Sequence, residues 1–414
     1  MESREKPWGW VVVAASFMVH TLVFGVCWSS GIFNSIFLEV FGASKATTSW
    51  AGGLNMATLC AVGPLASVLI NRFDCQKVAI FGGLIMSFGL GICYFAQSIF
   101  FMIGSFGFVA GFGGGICYIP AVAITSYYFD KRRSIAIGLA VSGIGLGSFG
   151  FPPLIRFLHH QFGWRGSFLV LAALVLNICV CGALMRPITV REILNNGDNK
   201  LMDMSLLRNY GFVFLGVNNM FFCFGFSVVS VHLAAYSESQ GTNTNWSSWL
   251  ISAIGMSNLV GRITFGFLGQ CRKLDIIVMY AVGFFICGLT IALMPAFPSD
   301  SLRMVLGSMF GFLSGCFGTL LVPIVAALVG LHRLSNAYGL LLVFEGIGTL
   351  SGAPFAGWLF DITQQYDASL FVGGGFLTLS SAFMVGPFIK IRTDAKHDVM
   401  ELQMDDLQVM EENV

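Results

Sequence analysis

"RRSIAIGLAVSGIGLGSFGFPP", residues 132–153, recurs as "HRLSNAYGLLLVFEGIGTLSGAP", residues 332–354. Ser134, Ala136, Gly138, Gly145, Gly147 and Pro153 align at a constant offset with Ser335, Ala337, Gly339, Gly346, Gly348 and Pro354. That offset is close to half of the 414-residue chain, so the repeat reports a duplicated architecture. The composition says in which solvent the two copies sit. The chain is 56% hydrophobic and 10% charged, with a mean hydropathy of +0.80. A soluble domain carries about 25% charged residues, and a water-facing surface cannot be built from this sequence. The chain reads as an all-α membrane protein.

A helix crossing the hydrocarbon layer needs about 20 apolar residues. Cutting the chain at its charged and turn-rich breaks predicts twelve transmembrane helices near 10–37, 49–70, 78–97, 100–128, 134–158, 164–185, 210–236, 246–270, 275–295, 302–330, 335–360 and 368–389. The run starting at Trp8 is too long for the apolar segment of a cleavable signal and is taken as span one. The repeat then joins span five to span eleven, which occupy the same place in two six-helix halves. The expected divisions are an N-terminal half over 1–185, a cytosolic central loop over 186–208, a C-terminal half over 209–392 and an acidic cytosolic tail over 393–414. Parallel halves of this kind mark transporters that rock around a site near the bilayer midplane.

Lysine and arginine set the orientation. The amino terminus, the even-numbered connections and the tail hold most of them, among them Arg72, Lys77, Lys131, Arg132, Arg133, Arg186, Lys273 and Arg333. The odd-numbered connections and adjoining span ends hold Lys45, Arg156, Arg165 and Arg303. Both termini are therefore expected in the cytosol, with the plasma membrane as the expected location. Asn245 of "NWS" then falls outside, as a glycosylation acceptor close to a span. Net charge is +1, which gives no electrostatic reason for a nucleic-acid partner. The eleven cysteines fall in apolar runs or cytosolic loops and read as small hydrophobes. No cofactor or metal is expected. No nucleophile with a base appears at helical spacing, so the chain is not read as an enzyme. The runs "GFGGGI" and "GIGLG" lack the strand and βαβ context of nucleotide loops and read as close helix-packing sites.

Against this apolar background two charges stand deep in the membrane. Arg262 lies ten residues before Arg272, about 15 Å along a helix. An arginine at that depth is costly, which points to a function and a partner. Its donor fork suits a carboxylate, so it is the candidate substrate-anion anchor, against the alternative of a buried pair holding helices together. Glu345 lies twelve residues beyond Arg333, about 18 Å in. A buried carboxylate favours its neutral form unless a cation holds it. Glu345 is thus the candidate proton-coupling residue, ionised while Arg262 is free and protonated while substrate occupies it. The alternatives are a static counter-ion to Arg262 and no contact between the two. Asn258, one turn before Arg262, lines the cavity or only packs. Trp28, Tyr118 and Asn55 are further substrate-binding candidates, and His20 reads as a core histidine. Arg72, Asp130, Arg132 and Arg133, in "NRFDCQK" and "DKRR", are candidates for gating or for topology alone.

The stretch "GFGGGICYIPAVAITSYYFDKRRSIAIGLAVSGIGLGSF", 111–149, with "PWGW" at the start of span one, "ICVCGALMRP" at 178–187 and the S-x-A-x-G of span eleven, resembles the monocarboxylate transporter family of the major facilitator superfamily, on its less-studied branch rather than with the lactate carriers. The resemblance implies the major facilitator fold and a secondary active transporter moving small organic anions with a proton by alternating access. It also implies a single-span accessory glycoprotein as a candidate partner. Three positions depart from the lactate carriers. "REKPWGW" lacks the acidic residue and two glycines that precede W-G-W there. Trp28 stands where those carriers have a lysine, and Asn258 stands where their span eight has the aspartate of D-x-x-x-R. The last two changes leave open a facilitative carrier of zwitterionic or neutral metabolites, creatine-like or amino-acid-like. A non-transporting receptor or scaffold signalling through the tail is the remaining alternative.

Overall fold

The computed structural model describes residues 7–43, 45–129, 131–186, 203–241, 244–271, 273–297 and 299–393. The cytosolic-tail, Asp130 and most central-loop expectations lie outside them, as does the side chain of Asn245. Among the described residues the regular structure is entirely helical, and nine helices are long and apolar enough to cross a membrane. Two of these contain a break and hold consecutive crossings. Gly63–Ile92 breaks at Asp74 (φ 71°, ψ 154°) and Arg133–Leu184 breaks at Gly163 (φ 67°, ψ 176°). Both residues sit at positive φ with extended ψ, a conformation open to Gly163 and strained for Asp74. With Lys45–Ala61 leading into the first of them and Leu334–Thr363 as span eleven, the chain makes twelve crossings in two six-helix halves.

The reversals are tighter than the sequence spacing implied. "NRFDCQK", expected as a loop, is helical on both sides of Asp74, and Cys75 is buried rather than loop-exposed. Charge marks where a chain leaves the membrane, but a single residue at positive φ suffices to turn it. Span one divides into Trp8–Trp28 and Ser30–Phe41. Its PWGW motif ties helix ends together: Trp8 Nε1 donates to Leu184 O at 3.0 Å and its ring lies 3.9 Å from the Arg186 guanidinium carbon. Span four opens with a π-helical stretch, Ile103–Ala110.

The side chains that ring the bundle are large and apolar, with Phe100, Phe88 and Val180 at 74%, 65% and 60% exposure, as expected for a surface solvated by lipid. Inside, glycines let backbones touch. The repeat of spans five and eleven is written in these contacts. A Cβ on Gly147 would strike the backbone of span one at Thr21 and Gly25, and one on Gly348 would strike span seven at Met220 and Phe224. The same correspondence links the halves. Gly138 faces Gly266 and the Arg262 carbonyl of span eight, whereas Gly339 faces Gly63 and Ser67 of span two. These contacts between halves gather at one end of the bundle, the end that carries Asn71 and Ser335.

Candidate functional site

A cavity of about 80 Å³ lies between the halves, walled by Phe24, Trp28, Met56, Cys60 and Tyr118 from the first and by Phe222, Phe226, Asn258, Arg262, Phe317 and Glu345 from the second. The structure therefore brings five sequence candidates to one space: Arg262, Asn258, Trp28, Tyr118 and Glu345. Asn55 is not in its wall. It is fully buried, donates from Nδ2 to Phe106 O at 2.7 Å and accepts from Cys27 Sγ at 3.0 Å, so it seals the π-helical stretch of span four against span one.

Arg262 is 6% exposed and is held on its own helix. Its Nε donates to Asn258 Oδ1 at 2.8 Å, the i,i+4 reach that places two side chains on one helix face. Asn258 in turn donates from Nδ2 to Ser314 Oγ at 2.9 Å and Gly311 O at 3.2 Å, which fixes its amide. Gly318 makes room for the guanidinium: a Cβ there would lie 2.5 Å from Nη1. Nη1 itself is buried without a hydrogen-bond partner. A buried charged donor left in this way is costly, and a ligand oxygen would relieve that cost. Trp28 Nε1 is likewise buried and unpartnered, with its ring edge-on to Phe226 at 5.0 Å.

Glu345, 8% exposed, is held separately. Its Oε1 accepts from Asn219 Nδ2 at 3.2 Å, and Asn219 Oδ1 accepts from the Tyr280 hydroxyl at 3.3 Å. Among the described residues the resolved ion pairs are Arg303–Asp300, Arg333–Asp203 and Arg392–Asp275, and none joins Arg262 to Glu345. The static counter-ion alternative is thereby corrected: each charged group is hydrogen-bonded by an amide, Glu345 by Asn219 of span seven and Arg262 by Asn258 of span eight, rather than by the other. A sequence shows that two charges share a depth, but not that neutral side chains already occupy them.

Beneath the cavity the halves touch through polar groups that sequence reasoning missed. The hydroxyls of Tyr118 and Tyr338 hydrogen-bond at 2.7 Å across the two halves. Further along, Ser67 Oγ donates to Ser335 O at 2.7 Å, Asn71 Nδ2 donates to Asn336 Oδ1 at 3.0 Å and Gln270 Nε2 donates to Lys131 O. Arg72 lies exposed over the Phe73 ring at 5.4 Å, and Arg133 Nε donates to Phe129 O at 3.2 Å. Arg132 is exposed. Among the described residues the hydrogen bonds Ser67–Ser335, Asn71–Asn336 and Gln270–Lys131 thus join the halves at this end through neutral groups. Ser335 and Tyr338 fall inside the repeat, which was the available signal, but neutral residues in an apolar chain raise no flag of their own. His20 is fully buried with Nδ1 donating to Ser16 O at 2.6 Å; its Nε2 has no partner, unlike the fully satisfied core histidine expected.

A duplicated twelve-helix bundle with a small cavity between its halves, lined by a buried arginine and a buried glutamate, is the architecture of a membrane transporter of the major facilitator type. Residues 14–297 match the Major Facilitator Superfamily. Solved structures agree in fold: the human organic anion transporter MFSD10 (TETRAN) superposes with a TM-score of 0.74 at 13% identity over 92% of this chain and all of its own. FucP in the outward conformation superposes with a TM-score of 0.68 at 13% identity over 90% and 98%. Within that superfamily the chain belongs to the monocarboxylate transporters. It is 35% identical to monocarboxylate transporter 12 of Rattus norvegicus, over 93% of this chain and 86% of the relative. It is 33% identical to monocarboxylate transporter 13 of the same species, over 93% and 90%, and 28% identical to human monocarboxylate transporter 14, over 95% and 93%. These relatives are transporters rather than enzymes.

Proposed function

We propose that the protein is a secondary active carrier of small monocarboxylates that moves them with a proton by alternating access. The observation that carries this is Arg262: a cation buried in a cavity wall, with Nη1 unpartnered and no carboxylate beside it. A carboxylate ligand completes that guanidinium and receives a second donor from Trp28 Nε1, while the phenylalanines accommodate an apolar body. Asn258 orients the guanidinium, Tyr118 supplies the floor, and Glu345 carries the proton. When the anion neutralises Arg262, the cavity gains a negative charge that protonation of Glu345 removes, and the loaded site becomes electrically able to cross.

The distribution of lysine and arginine supports cytosolic termini and a cytosolic central loop over 186–208, and we assign the carrier to the plasma membrane. In that orientation the end closed by Ser67–Ser335 and Asn71–Asn336 faces the cytosol. Arg72, Arg132 and Arg133 lie there, and we assign them, with Asp130, to stabilising the closed end when the halves rock.

A second reading follows from the separation of Arg262 and Glu345 in one cavity: opposite charges held apart also fit a zwitterionic or neutral metabolite carried by facilitation. Uptake of radiolabelled short monocarboxylates, creatine, carnitine and aromatic amino acids into proteoliposomes at two external pH values separates the readings. Proton-coupled anion transport gives faster influx with acid outside. Influx of a zwitterion that ignores the pH step would overturn coupling in favour of facilitation.

A further inference from the structure

Arg262 and Glu345 carry opposite formal charges in the wall of one cavity, where a low dielectric weakens screening between charges. Here they do not meet. Asn219 is fully buried on span seven and donates from Nδ2 to Glu345 Oε1 at 3.2 Å. Its own carbonyl oxygen is taken by the Tyr280 hydroxyl at 3.3 Å, and Tyr280 is itself fully buried on span nine. The neighbouring Asn218 donates to Ser380 O at 2.7 Å, which pins this turn of span seven against span twelve. The amide is therefore fixed from behind and presents its donor to the carboxylate. Across the cavity, Arg262 is held by Asn258 and keeps Nη1 open.

We propose that Asn219, anchored by Tyr280, is a positioning residue that holds Glu345 away from Arg262 and so keeps the guanidinium available to an anionic ligand. The proposal rests on Arg262 as the anion anchor. Without the amide, an ionised Glu345 turns into the cavity and pairs with Arg262, becoming an internal competitor for the ligand.

The test compares Asn219→Leu, Tyr280→Phe and the double variant Asn219→Leu/Glu345→Gln in purified, reconstituted protein. Two readouts are taken: binding of radiolabelled benzoate, and modification of Arg262 by phenylglyoxal, located by mass spectrometry and needing no ligand. Asn219→Leu is expected to weaken benzoate binding about tenfold, the scale of a lost hydrogen bond to a charged group, and to protect Arg262 from phenylglyoxal. Tyr280→Phe, which keeps the ring, shifts both in the same direction by less. Adding Glu345→Gln removes the competitor and restores both, which no loss of packing would do. Unchanged labelling of Arg262 in Asn219→Leu, or protection that Glu345→Gln does not reverse, overturns the proposal. The anchor reading fails on a different result: phenylglyoxal never reaching Arg262 in the unsubstituted protein, or benzoate binding undiminished in Arg262→Gln.

Discussion

The hydroxyl contact between Tyr118 and Tyr338 crosses the two halves directly beneath the cavity, at 2.7 Å, with both rings buried. It exists only while this end of the bundle is closed, so it stabilises one of the two states between which a carrier moves. Tyr338→Phe keeps the ring and leaves the Tyr118 hydroxyl buried without its partner. Orphaning a buried hydroxyl costs about 1–3 kcal/mol, against about 0.5–1.5 kcal/mol for the net hydrogen bond. The closed state should lose about 5- to 150-fold in its equilibrium with the opposite state. Tyr118→Phe should do the same. In the double variant no hydroxyl is stranded, so its effect should fall below the sum of the two single effects. Spin labels at Lys77 and Lys273, exposed on opposite halves near this end, report the two populations as two inter-label distances. The single variants should move population to the longer distance. Distance distributions unchanged in both single variants, or strictly additive in the double, would refute the latch, because the hydroxyls would then contribute to closure either not at all or independently of each other.

Gly318→Ala places a Cβ against Arg262 Nη1 and should raise KM for the transported anion about tenfold with normal surface expression, measured by concentration-dependent uptake. Gly339→Val intrudes on Gly63 and Ser67 where the halves seal, and should impair transport while Gly31→Ala, in open space, should not. Glu345→Gln should abolish accumulation driven by a proton gradient yet keep one-for-one exchange of labelled anion, since exchange carries no net proton; loss of both would show that Glu345 is needed for more than coupling.

The fold was legible because its signals are of long range and high amplitude. Twelve apolar runs, the charged breaks between them and the constant offset from Ser134 to Ser335 each survive errors of a few residues. The reversals at Asp74 and Gly163 were not legible, since one backbone torsion replaces the loop that a charge cluster implies. Arg262 and Glu345 were found because a formal charge in hydrocarbon is anomalous. Their separation was not, because it depends on Asn219, Tyr280 and Asn258, polar but neutral groups whose roles emerge only when four spans are packed. Asn55 shows the converse: an amide in span two looks like a cavity residue until the π-helical carbonyl that it satisfies is in view.

Anion anchoring at Arg262 is the central claim, and Arg262→Gln tests it most directly. Gln preserves much of the side-chain volume and a donor but removes the charge and the fork. Uptake of the best substrate found in the panel, measured beside cell-surface biotinylation, should fall to background while the variant reaches the membrane in normal amount. Uptake by Arg262→Gln at the level of the unsubstituted protein would contradict the account.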